Sequence, residues 1–590
     1  DAEGDYLPLI QWDRSHLNFA DLDTFFLPSF VGDIRQEPGS QEAINTMAAV
    51  LGASVAGIDK SEQNGQNWVL MQKQFYNIAT GEDLTLNNVG TITGGSFWYE
   101  VFPEILFYGL ISEYPKVAEI KTKSSLDDRT ISMLDIMYET ANRYYEAVRV
   151  MGADEGVPDF NWTSFDFQSM QPVDNGEWQE PDAAGGIAWL QYMAYRQFGE
   201  DKFLESTKSC LQFLEELEPN PLYEVLLPFG AYTAARINAE EGTAYDVAKL
   251  LNWSFGPSDV RPGWGVITDR WGDYDVYGIQ GSMTDGRGYA FLMSTFDVAA
   301  ALVPIVRYDP RYARTIGKWM LNLANNARLF YFDYLPEDHQ SSPSWGDESR
   351  SVIGYEGLRR GWEGRSPYAT GDAIRGGWSP VDYGMYGSSH VGLLGGLVSL
   401  TDEEHILQLD LVATDFFHAR AYPSYLYYNP HHEPKVVEIE VGPDPVDLYD
   451  ATRKCFIKTG VSKTASFTVP ADGSAVIVIV PAGGEVSFQG NKMMVNDIVV
   501  DYQRAMLAIH SPAPGQTAWG QFPVRVDLPA GEEFTTKAVT VMVDGEVIHA
   551  KGSLPDALVM DTEVYGDGTD HLLVVRVEGA NGVTLQDEVT

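Results

Sequence analysis

From Ala183 to Tyr195 the chain carries no charge, and Ile187, Trp189, Leu190, Tyr192 and Met193 surround a face of Ala and Gly. A helix of that composition has no polar stripe to turn toward water, so it is buried on almost every side. It requires a shell of other helices around it. Asp182 stands where an N-cap belongs, and the stretch GEWQEPD delivers Glu177, Trp178, Glu180 and Asp182 to one end of the helix.

The pattern recurs. Nearly uncharged runs begin near residues 42, 96, 183, 222, 286 and 385: EAINTMAAVLGASVAGID, GGSFWYEVFPEILFYGLISEY, the run above, PLYEVLLPFGAYTAARINA, GRGYAFLMSTFDVAAALVPIVRY and MYGSSHVGLLGGLVSL. Each is followed by a charged, amphipathic partner, from the piece near Trp68 to Thr80 through Leu126–Val150, Asp201–Glu218, Thr243–Trp253 and Arg311–Phe330 to Glu403–Tyr422. Six inner helices alternating with six outer ones describe an (α/α)6 toroid. After Tyr425 short runs of Val, Ile and Thr broken by Gly-Pro, Asp-Gly and Gly-Gly replace the helical period and read as strands and turns. The expected organisation is an N-terminal arm (1–40), the toroid (41–424), an antiparallel β-sandwich (425–510) and a small immunoglobulin-like β domain (511–590). SPAPGQT is the linker between the last two.

Charge narrows the partners. Eighty-four acidic residues against 40 basic ones give −44, which repels nucleic acid phosphates and anionic lipid heads. No apolar run is long enough to span a bilayer, so membrane insertion is not expected. Cys210 and Cys455 fall in segments assigned to different domains and lack metal-like Cys/His spacing, so neither a disulfide framework nor a metal site is expected. There is no strand-linked GxGxxG and no phosphate-binding GxxxxGK, so no cofactor is expected, and VYGDGTDH reads as a strand-connecting turn. The opening DAEGDY is no basic-plus-apolar leader. Acidity, Trp and Tyr richness and few cysteines suit a secreted or periplasmic enzyme whose leader has been removed, with a cytoplasmic one as the alternative. Oligomeric state is not readable.

In a helical ring the segments preceding the inner helices meet at one end. They carry Trp98, Tyr99 and Glu100; Glu177, Trp178, Glu180 and Asp182; Tyr223 and Glu224; Trp264, Asp269, Arg270, Trp271, Asp273, Asp285, Arg287 and Tyr289; and Trp345, Glu348, Tyr368, Asp372, Arg375, Trp378, Asp382, Tyr383, Tyr386 and His390. Aromatic faces stack on sugar rings, carboxylates accept hydroxyls and arginines pair with uronate carboxylates. A carbohydrate substrate is therefore expected. Glycoside hydrolysis needs two carboxyl groups facing one another, and Glu180 and Asp182 opposite Asp273, Asp285 or Asp372 are the candidates. The substrate-binding candidates are Glu177, Trp178, Tyr99, Trp264, Trp271, Arg287, Tyr289, Arg375, Trp378, Tyr383, Tyr386 and His390. Elimination at a uronate is the rival, with Tyr383, Tyr386 or His390 as base and Arg287 and Arg375 as neutralisers. A non-catalytic glycan-binding protein is the third reading.

The alternation over residues 41–422, the aromatic and acidic lips and the YLYYNPH junction into strands resemble the six-hairpin, (α/α)6-toroid carbohydrate-active enzymes with C-terminal β-sandwich domains. That resemblance implies a glycosidase, with glucuronidases and toroid lyases both among its members. No catalytic signature of those enzymes aligns with this chain, so no residue role is carried over.

Overall fold

The computed structural model describes residues 10–27, 29, 41–284, 288–343, 353–371, 384–489, 491–502, 507–512, 516–527, 536–552, 558–566, 568–579 and 584–589. The chain divides into two compact units, Asp1–Gly483 and Gly484–Thr590. The division falls inside the segment that the sequence assigns to a β-sandwich.

The first unit is helical and then passes into antiparallel strands. Its longer helices among the described residues are α1 (Ala43–Val55), α2 (Phe97–Glu113), α3 (Met133–Val148), α4 (Ala183–Phe198), α5 (Asp201–Glu216), α6 (Leu226–Glu241), α7 (Val247–Phe255), α8 (Leu292–Leu302), α9 (Ala313–Ala327) and α10 (Val391–Leu397). The mainly apolar helices α1, α2, α4, α6, α8 and α10 pack in that order, and α10 returns to α1. Two of the contacts need glycine because the backbones nearly touch. A methyl group on Gly185 would lie 2.7 Å from the Leu226 carbonyl oxygen and 3.2 Å from the Gly230 Cα. One on Gly392 would lie 2.4 Å from the Gly52 carbonyl carbon. Outside this ring α5 packs on α4 and α7 on α6. Local sequence sets the ends: Ser132 and Asp135 form a reciprocal capping box at α3, and α4 and α6 stop at the left-handed Gly199 (φ 71°) and Gly242 (φ 73°).

Three sequence expectations change. The run DVRPGWGVITDRWGDYDVYGIQGS is no loop. It forms β1 (Trp264–Trp271) and β2 (Tyr274–Ser282), joined at Gly272–Asp273, because Val266, Thr268, Tyr274, Val276 and Tyr277 favour an extended chain. β3 (Tyr289–Phe291), β4 (Gly357–Arg359) and β5 (Tyr368–Ala369) complete an antiparallel sheet in the order β5-β4-β3-β2-β1. The fifth inner helix therefore starts at Leu292 rather than near residue 286. Finally, Glu403–Tyr422 is not an outer helix, since HILQLDL alternates with period two and pairs as a strand.

That strand, β7 (Leu407–Asp410), belongs with β6 (Val398–Leu400), β8 (Ser424–Asn429), β9 (Lys435–Asp450), β10 (Cys455–Val469) and β11 (Gly473–Pro481) to an antiparallel sheet ordered β6-β7-β8-β11-β9-β10. Its apolar face gathers Tyr427, Val437, Ile439, Leu448, Phe467, Ile477 and Ile479. β8 packs on α9, where Gly317 leaves room for Tyr428, so this sheet belongs to the helical unit. Cys210 and Cys455, placed in separate domains by the sequence, lie in this same unit as free thiols.

The second unit contains a three-stranded sheet at 486–501, a second formed by Ala508–Ser511, Gln521–Asp527 and Leu558–Asp561, and a four-stranded one from Thr536–Val543, Glu546–Lys551, Leu573–Gly579 and Thr584–Val589. The last two share a core of Val524, Val539, Val541, Met560, Val575 and Val577. Among the described residues no helix is long and apolar enough to cross a membrane.

The glycine contacts make opposite predictions for one chemical change. Gly185→Ala forces backbone apart and should cost about 1–3 kcal/mol. Gly395→Ala, on α10 with nothing within 4 Å, should be neutral or gain up to ~1 kcal/mol. Urea unfolding of both variants measures this, and equal midpoints would contradict the packing.

Candidate active site

Each inner helix begins with N–H groups that its own turns cannot satisfy. Burial of those ends in a ring removes water as the partner, and carboxylates take its place. Glu180, 1% exposed, accepts 2.7 Å hydrogen bonds from the Trp98 N–H at the start of α2 and from the Ser96 hydroxyl. Asp182, 0% exposed, accepts from the Tyr223 N–H at 3.0 Å. It occupies the N-cap position of α4 but does not cap that helix. Its side chain crosses to the segment leading into α6, which corrects the local capping role expected from sequence.

The lacing continues around the ring. Glu224 receives the Ser294 hydroxyl of α8 at 2.9 Å and the Arg261 guanidinium. Asp297 of α8 meets His390 Nδ1 at 2.8 Å at the start of α10. Ser389 donates to Asn45 Oδ1 of α1 at 3.2 Å, and Asn87 donates to Glu42 ahead of α1 at 3.0 Å. Glu104 of α2 accepts the Thr85 N–H, and Glu100 the N–H groups of Gly94, Gly95 and Phe165.

Burial dominates the protonation of these acids. Loss of water pushes Glu180 up to about 9, against the pull of Ser96 and Trp98. Asp182 rises to about 7, and Glu100 and Glu104 to about 8, for the same reason, with their N–H donors opposing the shift. Glu180 is thus a protonated acid at neutral pH.

An aromatic and cationic group stands beside them. Arg261 lies 3.7 Å from the Trp264 ring centroid, 5.4 Å from that of Tyr223 and 6.0 Å from that of Trp178, and Trp178 meets Tyr223 edge-on at 6.3 Å. Burial raises the Tyr223 phenol, and the charges of Glu224 and Glu180 push it in the same direction, so both carboxyl groups act on this one ring. Trp178 (48%) and Tyr99 (42%) remain exposed. Tyr99 lines a cavity of about 470 Å³, large enough for a small ligand, together with Glu42, Asn87, Asn88, Ser96 and Glu100 among others. Ser96 connects its wall to Glu180.

The structure brings together Glu180, Asp182, Trp178, Tyr99 and Trp264 of the expected site, although Trp264 is fully buried beneath Arg261. Glu177 is exposed on the same approach. Asp273 is separated from them. It sits exposed at the far turn of β1–β2, and a rise of about 3.3 Å per residue carries it on the order of 25 Å from Trp264. Trp271 lies at that same far end with no exposed surface, so a place in a sugar cleft is corrected for both. Tyr289 is buried in a cross-strand row, Trp264–Ser282–Tyr289–Arg359–Tyr368, with the Arg359 guanidinium 4.0 Å from its ring centroid and Glu356 3.4 Å from its hydroxyl. His390 is 0% exposed against Phe102 and presents no surface to a substrate. Asp285, Asp372, Arg287, Arg375, Trp378 and Tyr383, with Trp345, Glu348 and Asp382, lie outside the described residues, as does the side chain of Tyr386. Arg261, Ser96, Glu356 and Arg359 were missed by sequence reasoning. Arg261 alone carried a signal, in the turn-forming VRPGWG next to a tryptophan. Among the described residues no group of His, Cys, Asp and Glu is arranged to hold a metal.

No family model matches the sequence, and no curated protein matches it significantly. Among solved structures, a GH127 β-arabinofuranosidase is 10% identical with a TM-score of 0.32, covering 92% of this chain and 84% of that one. A GH127 β-L-arabinofuranosidase from Geobacillus stearothermophilus T6 is 10% identical with a TM-score of 0.30, over 95% of this chain and 88% of that one. A structure titled glycoside hydrolase gives 10% and 0.34 over 92% and 88%.

The raised carboxyl groups link stability to pH. A group whose folded pKa exceeds its unfolded value binds its proton more tightly when folded, so its contribution is complete below about 4.5 and lost as pH climbs through the folded value. Unfolding free energy should fall between pH 5 and 9, by up to about 1.4 kcal/mol per pH unit for each fully linked group. Glu180→Gln, which mimics the protonated form, should flatten that slope. Urea titrations across the range check this, and a slope unchanged by the substitution would show that Glu180 ionises normally.

Proposed function

We propose that the chain is a glycoside hydrolase built as an (α/α)6 toroid with C-terminal β domains, acting on an oligo- or polysaccharide that includes uronate sugars. The observation that carries this reading is the pair Glu180 and Glu224. They come from neighbouring inner-helix starts, and the charge of each pushes up the phenol of Tyr223, whose ring meets the exposed Trp178 edge-on at 6.3 Å. Glu180 supplies the proton. Its carboxyl meets the cavity wall at Ser96, whose hydroxyl donates to it at rest; in the transfer that hydroxyl turns, accepting from the protonated Glu180 as it donates its own proton to the leaving oxygen. Glu224, oriented by Arg261 and Ser294, supplies the negative charge that an oxocarbenium-like transition state needs. Tyr99 and Trp178 offer stacking faces for the sugar rings on either side of the scissile bond. Asp182 holds the Tyr223–Glu224 segment in place.

Elimination finds less support. His390 is sealed in the core, and its Nδ1 is committed to Asp297. Tyr383 and the side chain of Tyr386, the other two bases of that reading, lie outside the described residues.

Incubation with a panel of neutral and uronate-containing glycans should release new reducing ends without the ultraviolet absorbance of a conjugated double bond. Glu180→Gln and Glu224→Gln should each lower kcat by at least ~100-fold while circular dichroism stays native. Trp178→Ala should act mainly on KM. Strong absorbance would transfer the site to elimination, wild-type rates in both Gln variants would discard the pair, and binding without turnover would make the chain a glycan-binding protein.

A further inference from the structure

A second cavity, about 530 Å³, lies between the hairpin β1–β2 and the helix α9, formed by residues distinct from those that line the first. One wall carries Thr268 and Tyr277, which face each other across the hairpin. The other carries Arg314, Lys318 and Asn322, spaced four residues apart and so aligned along one face of α9. Trp319 ties the walls together through its indole N–H, which donates to the Gly278 carbonyl at 2.8 Å. Gly278 lets helix and strand approach so closely that a methyl group there would lie 2.7 Å from the Leu323 nitrogen. The groove is therefore a preformed feature of two rigid elements.

Its chemistry runs against that of the chain. With 84 acidic residues and 40 basic ones, carboxylates outnumber cations about two to one in the chain. This one contains two cations and no acid among its lining residues. Arg314 is held by Asp472, its Nε on the carbonyl at 2.8 Å and a terminal nitrogen on the carboxylate at 2.5 Å, so its charge is paired and Lys318 supplies the groove's excess positive charge. Tyr277, 38% exposed, provides an aromatic face, and Thr268, Thr315 and Asn322 provide hydroxyl and amide partners. A planar ring for stacking, neutral groups for hydroxyls and cations for carboxylates together fit an acidic sugar.

We propose that this groove is a binding site for a short acidic oligosaccharide, formed by residues other than those of the catalytic mouth. The assignment is independent of the hydrolase reading, because a chain without turnover would bind there equally. The field of the remaining charges, which repels long polyanions, restricts it to a short stretch of sugar and makes binding salt-sensitive.

The test uses the full chain and isothermal calorimetry with a size-defined oligogalacturonate, against a neutral gluco-oligosaccharide of equal length. Lys318→Glu and Tyr277→Ala should each weaken oligogalacturonate binding about tenfold, the loss of one charged or stacking contact. Trp178→Ala, at the catalytic mouth, should remove at most a separate binding component and leave in place the one that the groove variants weaken, and the neutral oligosaccharide should bind the groove at least tenfold more weakly. Wild-type affinity in both groove variants, equal affinity for the neutral sugar, or loss of binding only in Trp178→Ala would each overturn the assignment.

Discussion

Carboxylates that cap the helix next door, rather than their own, hold this molecule's first unit together. A ring of apolar helices has a cost at its ends, where N–H groups are buried together with the side chains. Glu180 meets that demand for α2 and Asp182 for the approach to α6, both from the segment that opens α4. The first contact satisfies a helix end and the second the segment just before one, and each ties α4 to a neighbouring helix. Ser294–Glu224, His390–Asp297 and Ser389–Asn45 extend the same device through α8 and α10 back to α1.

Structure and chemistry compete for the same groups. The desolvation that makes these acids effective ties between helices also holds Glu180 protonated, which is the state a proton donor requires. Ser96 resolves the competition spatially, since it touches Glu180 on one side and the cavity on the other. Exposure divides the aromatic residues in the same way. Trp264 and Trp98 are packed as supports, while Trp178 and Tyr99 keep exposed surface.

The helices were legible because composition alone decides their environment. A run such as Ala183–Tyr195 has no polar face, and no other placement would accommodate it. The strands of β1 and β2 were obscured by their chemistry, since Trp, Asp and Arg drew attention as ligands while the alternation around Gly272–Asp273 carried the hairpin signal. Asp182 shows the opposite limit. Its position marks a helix start, but the choice between its own N–H groups and those of Tyr223 depends on a neighbour 41 residues away in sequence. Glu356 and Arg359, in a short strand between long connections, carried no local signal and became visible only as a cross-strand row.

Amide hydrogen exchange at Trp98 and Tyr223 tests the lacing most directly. Amides at the start of a helix ordinarily exchange fast, because no turn precedes them. If Glu180 and Asp182 seal these positions, both amides should exchange only on global unfolding, as slowly as the middle of α2 and α6. Exchange at rates typical of open helix starts would contradict the account.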